Sequence, residues 1–177
     1  LRRLSNYIFY NYNDTPEDFY ERLRINVELN EQLGTQIYSF PMKYIPVTNK
    51  DRKFVGKHWT PRYLRSIQCI LQVTHGLVGP RKEFFEAAFG KNIREFRKLL
   101  IMPDNYIIYR ENHKDNGTVD WNNLFNSLSP NQKNDFLKII NENRLDDVIC
   151  SKYPKVNALL LHYKKNRAKV AGKTTLF

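Results

Sequence analysis

Asn6-Tyr-Ile-Phe-Tyr-Asn-Tyr12, running straight into Asn13-Asp-Thr-Pro-Glu-Asp18, is the stretch on which the fold turns. Aromatic and β-branched residues dominate 6–12, so this segment reads as a buried strand. The next residues spell a helix start. Thr15 is placed to cap, Pro16 falls at the first helical position, and Asp18 stands where a capping-box acid belongs. Apolar spacing then predicts a helix that buries Phe19, Leu23, Val27 and Leu33 and stops at Gly34. Gln36-Ile-Tyr-Ser-Phe40 follows as a second strand. Strand, helix of about five turns and strand, joined by short loops, is the pattern of a right-handed βαβ unit with parallel strands. One such unit cannot cover both faces of its own sheet, so either further strands or the remaining helices must do so.

Beyond Phe40 the pattern changes. Pro41 and Pro46 interrupt it, and residues 46–59 read as a polar loop. Thr60-Pro61 repeats the cap-plus-proline start of a helix that runs to Gly76. Pro80 is read as opening another helix that ends at Gly90, and Asn92 as capping a third. A short helix is expected over 106–109, a turn at Asp115-Asn116-Gly117, and helices near 119–128, from Ser129-Pro130 to about 143, and near 155–165. The expected architecture is therefore α/β, with residues 1–50 forming a βαβ unit and residues 51–177 an all-helical extension.

The chain has 177 residues and a net charge of +11, from 29 Lys and Arg against 18 Asp and Glu. With 41% hydrophobic residues it can bury a core. No run is long and apolar enough for a membrane helix, so no membrane association is expected. Two cysteines, Cys69 and Cys150, are too few for a disulfide scaffold and suggest a reducing, cytoplasmic compartment. The start, Leu1-Arg2-Arg3-Leu4-Ser5, suits a piece excised from something longer. The charge is concentrated in two acid-free blocks, Arg52 to Lys82 and Val148 to Phe177, each with seven basic residues. Residues 1–51 hold six basic residues against seven acids and are close to neutral. Either basic block is a solvated face or a surface for a polyanion such as nucleic acid.

Few constellations carry chemistry. His58, His75, His113 and His162 are scattered, and none has metal-ligand spacing with a cysteine, so no metal site is expected. Ala171-Gly-Lys-Thr-Thr175 imitates the end of a phosphate loop, but Arg167 stands where the first glycine belongs and the segment runs out before a helix can follow. Between Lys53 and Arg65, cations alternate with Phe54, His58, Trp59 and Tyr63. That pattern suits base stacking, and equally an aromatic staple with its cations left in water. The most suggestive place is the carboxyl edge of the two strands, where ligands of parallel α/β proteins bind. It offers Asn11 and Asn13 after the first strand and Phe40, Pro41 and Met42 at the second.

Four separate stretches carry a family resemblance: Tyr7 to Leu23, Ile37 to Pro46, Gly56-Lys-His-Trp59 and Phe84-Phe-Glu-Ala-Ala-Phe-Gly90. Over the first two-thirds of its length the chain resembles the C-terminal part of bacterial radical S-adenosylmethionine proteins. The resemblance implies a partial (β/α) barrel with its later strands here and its earlier ones absent. It also implies a parent in which a four-iron, four-sulfur cluster reduces S-adenosylmethionine to a 5′-deoxyadenosyl radical. The cluster-binding CxxxCxxC loop of that family is absent, since Cys69 and Cys150 stand 81 positions apart. This chain should therefore carry no cofactor of its own. By the same resemblance Asn11, Asn13, Phe40, Pro41 and Met42 would lie along the S-adenosylmethionine site, although the family's glycine-rich turn is missing here.

The expected function is thus the C-terminal fragment of a radical S-adenosylmethionine oxidoreductase, inactive without its N-terminal half. The alternatives are a basic helical module that binds nucleic acid through residues 52–82 and 148–177, and a protein-interaction domain resting on exposed aromatics such as Trp121.

Overall fold

The structure is a computed structural model that describes residues 3–48, 53–110, 117–142 and 151–171, with side chains described as far as Tyr163. Two compact units divide the chain, residues 1–100 and 101–177. The change of composition near residue 50 is therefore not where the units part, because the helices that follow it pack with the βαβ unit.

In the first unit, β1 (Arg3–Tyr10) and β2 (Gln36–Lys43) are parallel neighbours joined by α1 (Pro16–Leu33). The pairing runs from Arg3 opposite Gln36 to Tyr10 opposite Lys43. The capping signals read from the sequence are realised. Thr15 Oγ1 accepts from the Asp18 N–H, Asp18 answers on the Thr15 N–H, and Gly34 ends α1 in the left-handed region at φ +58°. α1 buries Phe19, Tyr20, Leu23 and Val27. Leu33, expected in that row, is 65% exposed. The buried stripe ends one turn earlier, at Asn30.

The strands differ from expectation in an informative way. β1 is buried on alternate residues only: Ile8 and Tyr10 face inward at 9% and 4% exposure, while Tyr7 and Phe9 stand out at 67% and 53%. The inward residues meet α1, and Tyr10 packs on Phe19 with ring centroids 5.1 Å apart. β2 continues through Pro41, where the sequence suggested a break. Tyr44 N–H donates to the Tyr10 carbonyl at 2.8 Å, which fixes the phase of the ladder. Gln36, Tyr38, Phe40 and Met42 turn their backbone groups to β1, and Ile37, Ser39 and Pro41 turn theirs to the outer edge. Proline therefore removes no ladder bond there.

Around this pair lie α2 (Pro61–Val73), α3 (Lys82–Phe89) and α4 (Ile93–Ile101). Thr60 caps α2 as expected, and Asn92 Oδ1 accepts from the Arg94 and Glu95 N–H groups to cap α4. Pro80 lies outside α3, which starts only after Arg81. The core is aromatic: Tyr20 meets Phe96 at 5.0 Å and Phe85 at 5.2 Å, and its hydroxyl donates to the Gly90 carbonyl. Cys69 is buried on α2 as a small hydrophobe.

The second unit is helical, with α5 (Asp104–Ile108), α6 (Gly117–Asn126), α7 (Pro130–Asn141) and α8 (Pro154–Ala171). Trp121 is fully buried and stacked 5.2 Å from Phe125, so it offers no exposed aromatic to a partner. Gly117 lies against Tyr106, where a Cβ would clash with the phenol oxygen. The expected turn at 115–116, His113 and Cys150 lie outside the described residues, and the basic side chains of the C-terminal block beyond Tyr163 lie outside the described side chains. Among the described residues no helix is long and apolar enough to cross a membrane.

Candidate functional site

The carboxyl ends of β1 and β2 are built from the residues the sequence singled out, but these residues do different jobs. Asn11 leaves β1 at φ +74°, a left-handed conformation that asparagine tolerates. It is fully buried, and its amide is committed within the chain. Nδ2 donates to the Tyr44 and Phe54 carbonyls at 3.1 and 3.0 Å, and Oδ1 accepts from the Gly56 N–H at 2.7 Å. Asn11 is thus a brace that folds the loop after β2 over the end of β1. Gly56 completes the brace, since a Cβ there would fall 2.5 Å from the Tyr12 carbonyl oxygen.

Asp14 ties the same corner. Its carboxylate pairs with Arg22 Nη2 at 2.6 Å and accepts from the Tyr12 N–H at 2.9 Å, and its carbonyl accepts from the Trp59 indole N–H at 2.9 Å. Trp59 is buried between Tyr10 and Phe19, so of the two readings of the 53–65 loop the staple holds for the tryptophan. Lys57 and His58 remain exposed. The start of α1 is closed to an anion because Thr15 and Asp18 fill it. Hydrogen bonds from Thr15 hold the Asp18 carboxyl below the usual carboxylate range.

Asn13 is exposed beyond this corner, and Pro41 is half-buried on the α1 side of the sheet. Phe40 and Met42 point the other way. Pairing puts Tyr7 beside Phe40 and Phe9 beside Met42, so these four share the open face with Ser5 and Tyr38. The Tyr7 and Phe40 rings lie 5.9 Å apart. Beyond the strand ends Tyr12 meets Tyr44 at 4.7 Å, and Tyr44 meets Phe54 at 5.8 Å. Sequence reading missed Tyr7, Phe9, Tyr12 and Tyr44 as members of this surface. The signal was present as aromatics at alternate positions, Tyr7 and Phe9, but the unbroken apolar run from Tyr7 to Tyr10 hid it. Around Tyr7, Phe9, Phe40 and Met42 the wall carries rings and a thioether, and Arg3 is the charged residue at the amino end of the same face. Those four side chains can stack planar groups and exclude water, with the hydroxyls of Ser5, Tyr7 and Tyr38 and the Gln36 amide as hydrogen-bonding groups on the same face.

In the second unit, a groove of about 560 Å³ runs between α6 and α8, with Asp120, Ser127, Leu161 and His162 among its lining. His162 Nδ1 and the Tyr106 hydroxyl are 2.8 Å apart, and burial pushes that phenol upward, with the Asp120 charge adding to it. Among the described residues no group of three His, Cys, Asp or Glu side chains could hold a metal ion.

Comparison with models of known protein families, with curated proteins and with solved structures finds no match in any of the three. What fold and site define is a mixed α/β protein, mostly helical, with a two-stranded parallel sheet.

Proposed function

We propose that this chain is the C-terminal part of a radical S-adenosylmethionine-type oxidoreductase of the cytoplasm, with β1 and β2 the last strands of a partial (β/α) barrel. The observation that carries the reading is the unequal treatment of the two sheet edges. Along the outer edge of β2, the Asn30 amide takes both backbone groups of Ile37, at 2.6 and 3.1 Å. Val78 exchanges two hydrogen bonds with Ser39, and Pro41 has no N–H to offer. That edge is occupied at Ile37 and Ser39 and lacks a donor at Pro41. The outer edge of β1 presents the backbone groups of Ser5 and Tyr7 with no partner among the described residues. A sheet blunted at its last strand, open at the strand before it, covered by helices on one face and aromatic on the other suits the end of a barrel.

Toward the cofactors of such a parent the residues divide. Cys69 is buried on α2, and the chain's two cysteines, 81 positions apart in sequence, are fewer than the three thiolates a cluster site needs. The uncharged wall of Phe40 and Met42 fits the adenine of S-adenosylmethionine, a group that supplies the radical when bound, and Asn13 is free to approach it from the rim. Asn11 and Pro41 do not fit that role, because one spends its amide on the brace and the other faces α1. The chain's own residues would stack the ring and exclude water, and the missing N-terminal half would supply the cluster.

The reading frame upstream and an anaerobic reconstitution with iron and sulfide test this together. The chain alone should develop no four-iron absorbance, and the protein extended upstream should. An intact upstream frame without CxxxCxxC sinks the reading. The second reading, a nucleic-acid module, is favoured by the exposure of Lys57, Arg81 and Lys82 within the acid-free block. Its affinity would fall steeply with salt, and no binding of a DNA duplex at low salt removes it.

A further inference from the structure

We infer that the open edge of β1 accepts one parallel strand whose ladder ends at Phe9, and that Arg22 is the stop. The inference rests on the reading above for the source of the strand, which is the N-terminal half of the parent. Its register comes from the geometry of β1.

Because Asn6, Ile8 and Tyr10 turn their backbone groups to β2, Ser5, Tyr7 and Phe9 turn theirs outward. An incoming parallel strand would bond to the N–H and carbonyl of Ser5, to the N–H and carbonyl of Tyr7, and to the N–H of Phe9. The next bond is already taken. Arg22, reaching across from α1, donates Nη2 to the Phe9 carbonyl at 2.7 Å. This is a built contact. The same guanidinium is held by Asp14 at 2.6 Å, and Asp14 is held by the Tyr12 N–H and the Trp59 indole. A longer ladder would have to displace a charge-assisted hydrogen bond from a braced arginine.

The partner is defined by this edge. It is an extended segment, parallel to β1, with apolar side chains alternating onto the face that carries Tyr7 and Phe40. It ends before the layer of Phe9 and Met42. Those two side chains, with Tyr12 and Tyr44 above them, are then the part of the wall that no neighbouring strand on the β1 side flanks, so a ligand entering from the carboxyl end meets them first.

Amide hydrogen exchange on the chain and on the protein extended upstream tests the inference. In the chain alone the Asn6, Ile8 and Tyr10 amides should be protected and the Ser5, Tyr7 and Phe9 amides should exchange freely. In the extended protein Tyr7 and Phe9 should slow on the order of a hundredfold. Trans-hydrogen-bond couplings in the extended protein should join the Phe9 carbonyl to the Arg22 guanidinium. A coupling from a backbone amide to the Phe9 carbonyl overturns the stop, and unprotected Tyr7 and Phe9 overturn the acceptor edge. The two readings separate cleanly. Protection without CxxxCxxC upstream sinks the radical-enzyme function and leaves the edge standing, whereas the motif without protection does the reverse.

Discussion

β1 and β2 are eight residues each, lie side by side in register, and share the same helix on one face. Their free edges are nevertheless treated in opposite ways. β2 has the outward carbonyls and amides of Ile37 and Ser39 occupied by a side-chain amide and a short antiparallel bridge, and Pro41 removes one donor. Among the described residues β1 has none of these devices below Phe9. Exposed edges invite pairing with other chains, so closing one and leaving its neighbour open is a directional statement. The same contrast runs through the faces. The side toward α1 is packed with rings, and the opposite side shows its rings to water.

The faces give the largest expected difference. Phe19→Ala on the packed side should destabilise the chain by about 3–5 kcal/mol, because the cavity is enclosed by Tyr10, Trp59 and Phe89. Phe9→Ala on the open side should cost less than about 1 kcal/mol. Urea unfolding of the two variants measures the gap. Equal losses would mean that something covers the open face in the isolated chain.

The edges give the next. Asn30→Ala strips the Ile37 N–H and carbonyl of their partners, and with Asn30 itself buried the loss should be about 2–3 kcal/mol. It should also convert β2 into a second open edge, read as concentration-dependent association by light scattering. A variant that loses stability but stays monomeric would show that Asn30 matters for α1 packing and leaves the edge protected by other means.

How much of this could be read in advance depends on whether the signal is local. The cap at Thr15, the stop at Gly34 and the βαβ order are written in adjacent residues, and the structure realises them. Topology puts Phe40 and Met42 on the second strand, and the register then turns their side chains to the open face. Edge closure was not legible, because it depends on which backbone groups point outward, a phase set by register between segments about thirty residues apart. Asn30 therefore looked like a polar gap in the apolar row, and Leu33 seemed the better core residue. The role of Asn11 is hidden for a related reason. An asparagine at a strand end can face a ligand or brace a loop, and only the position of Gly56 and Phe54 in space decides. Trp121 looked available because its neighbours in sequence are polar, while the residues that bury it come from other parts of the chain.

The smallest effect concerns the crossover that joins the two strands. The Asp18 carboxyl is held below its ordinary value by the Thr15 N–H and hydroxyl, so the folded chain releases this proton more readily than the unfolded one. The contribution is therefore present above the unfolded value of about 3.9 and is lost as pH falls through the lower folded value. Thr15→Ala should lower stability at neutral pH by about 1 kcal/mol. Asp18→Asn should flatten the acid limb of the stability curve below pH ~4 relative to the parent chain. Both changes act where β1 hands over to α1, so neither should alter amide exchange along either strand edge. If Asp18→Asn slowed or hastened exchange at Tyr7, the edge and the cap would be coupled through Asp14 and Arg22. The stop at Phe9 would then belong to the helix cap as much as to the strand.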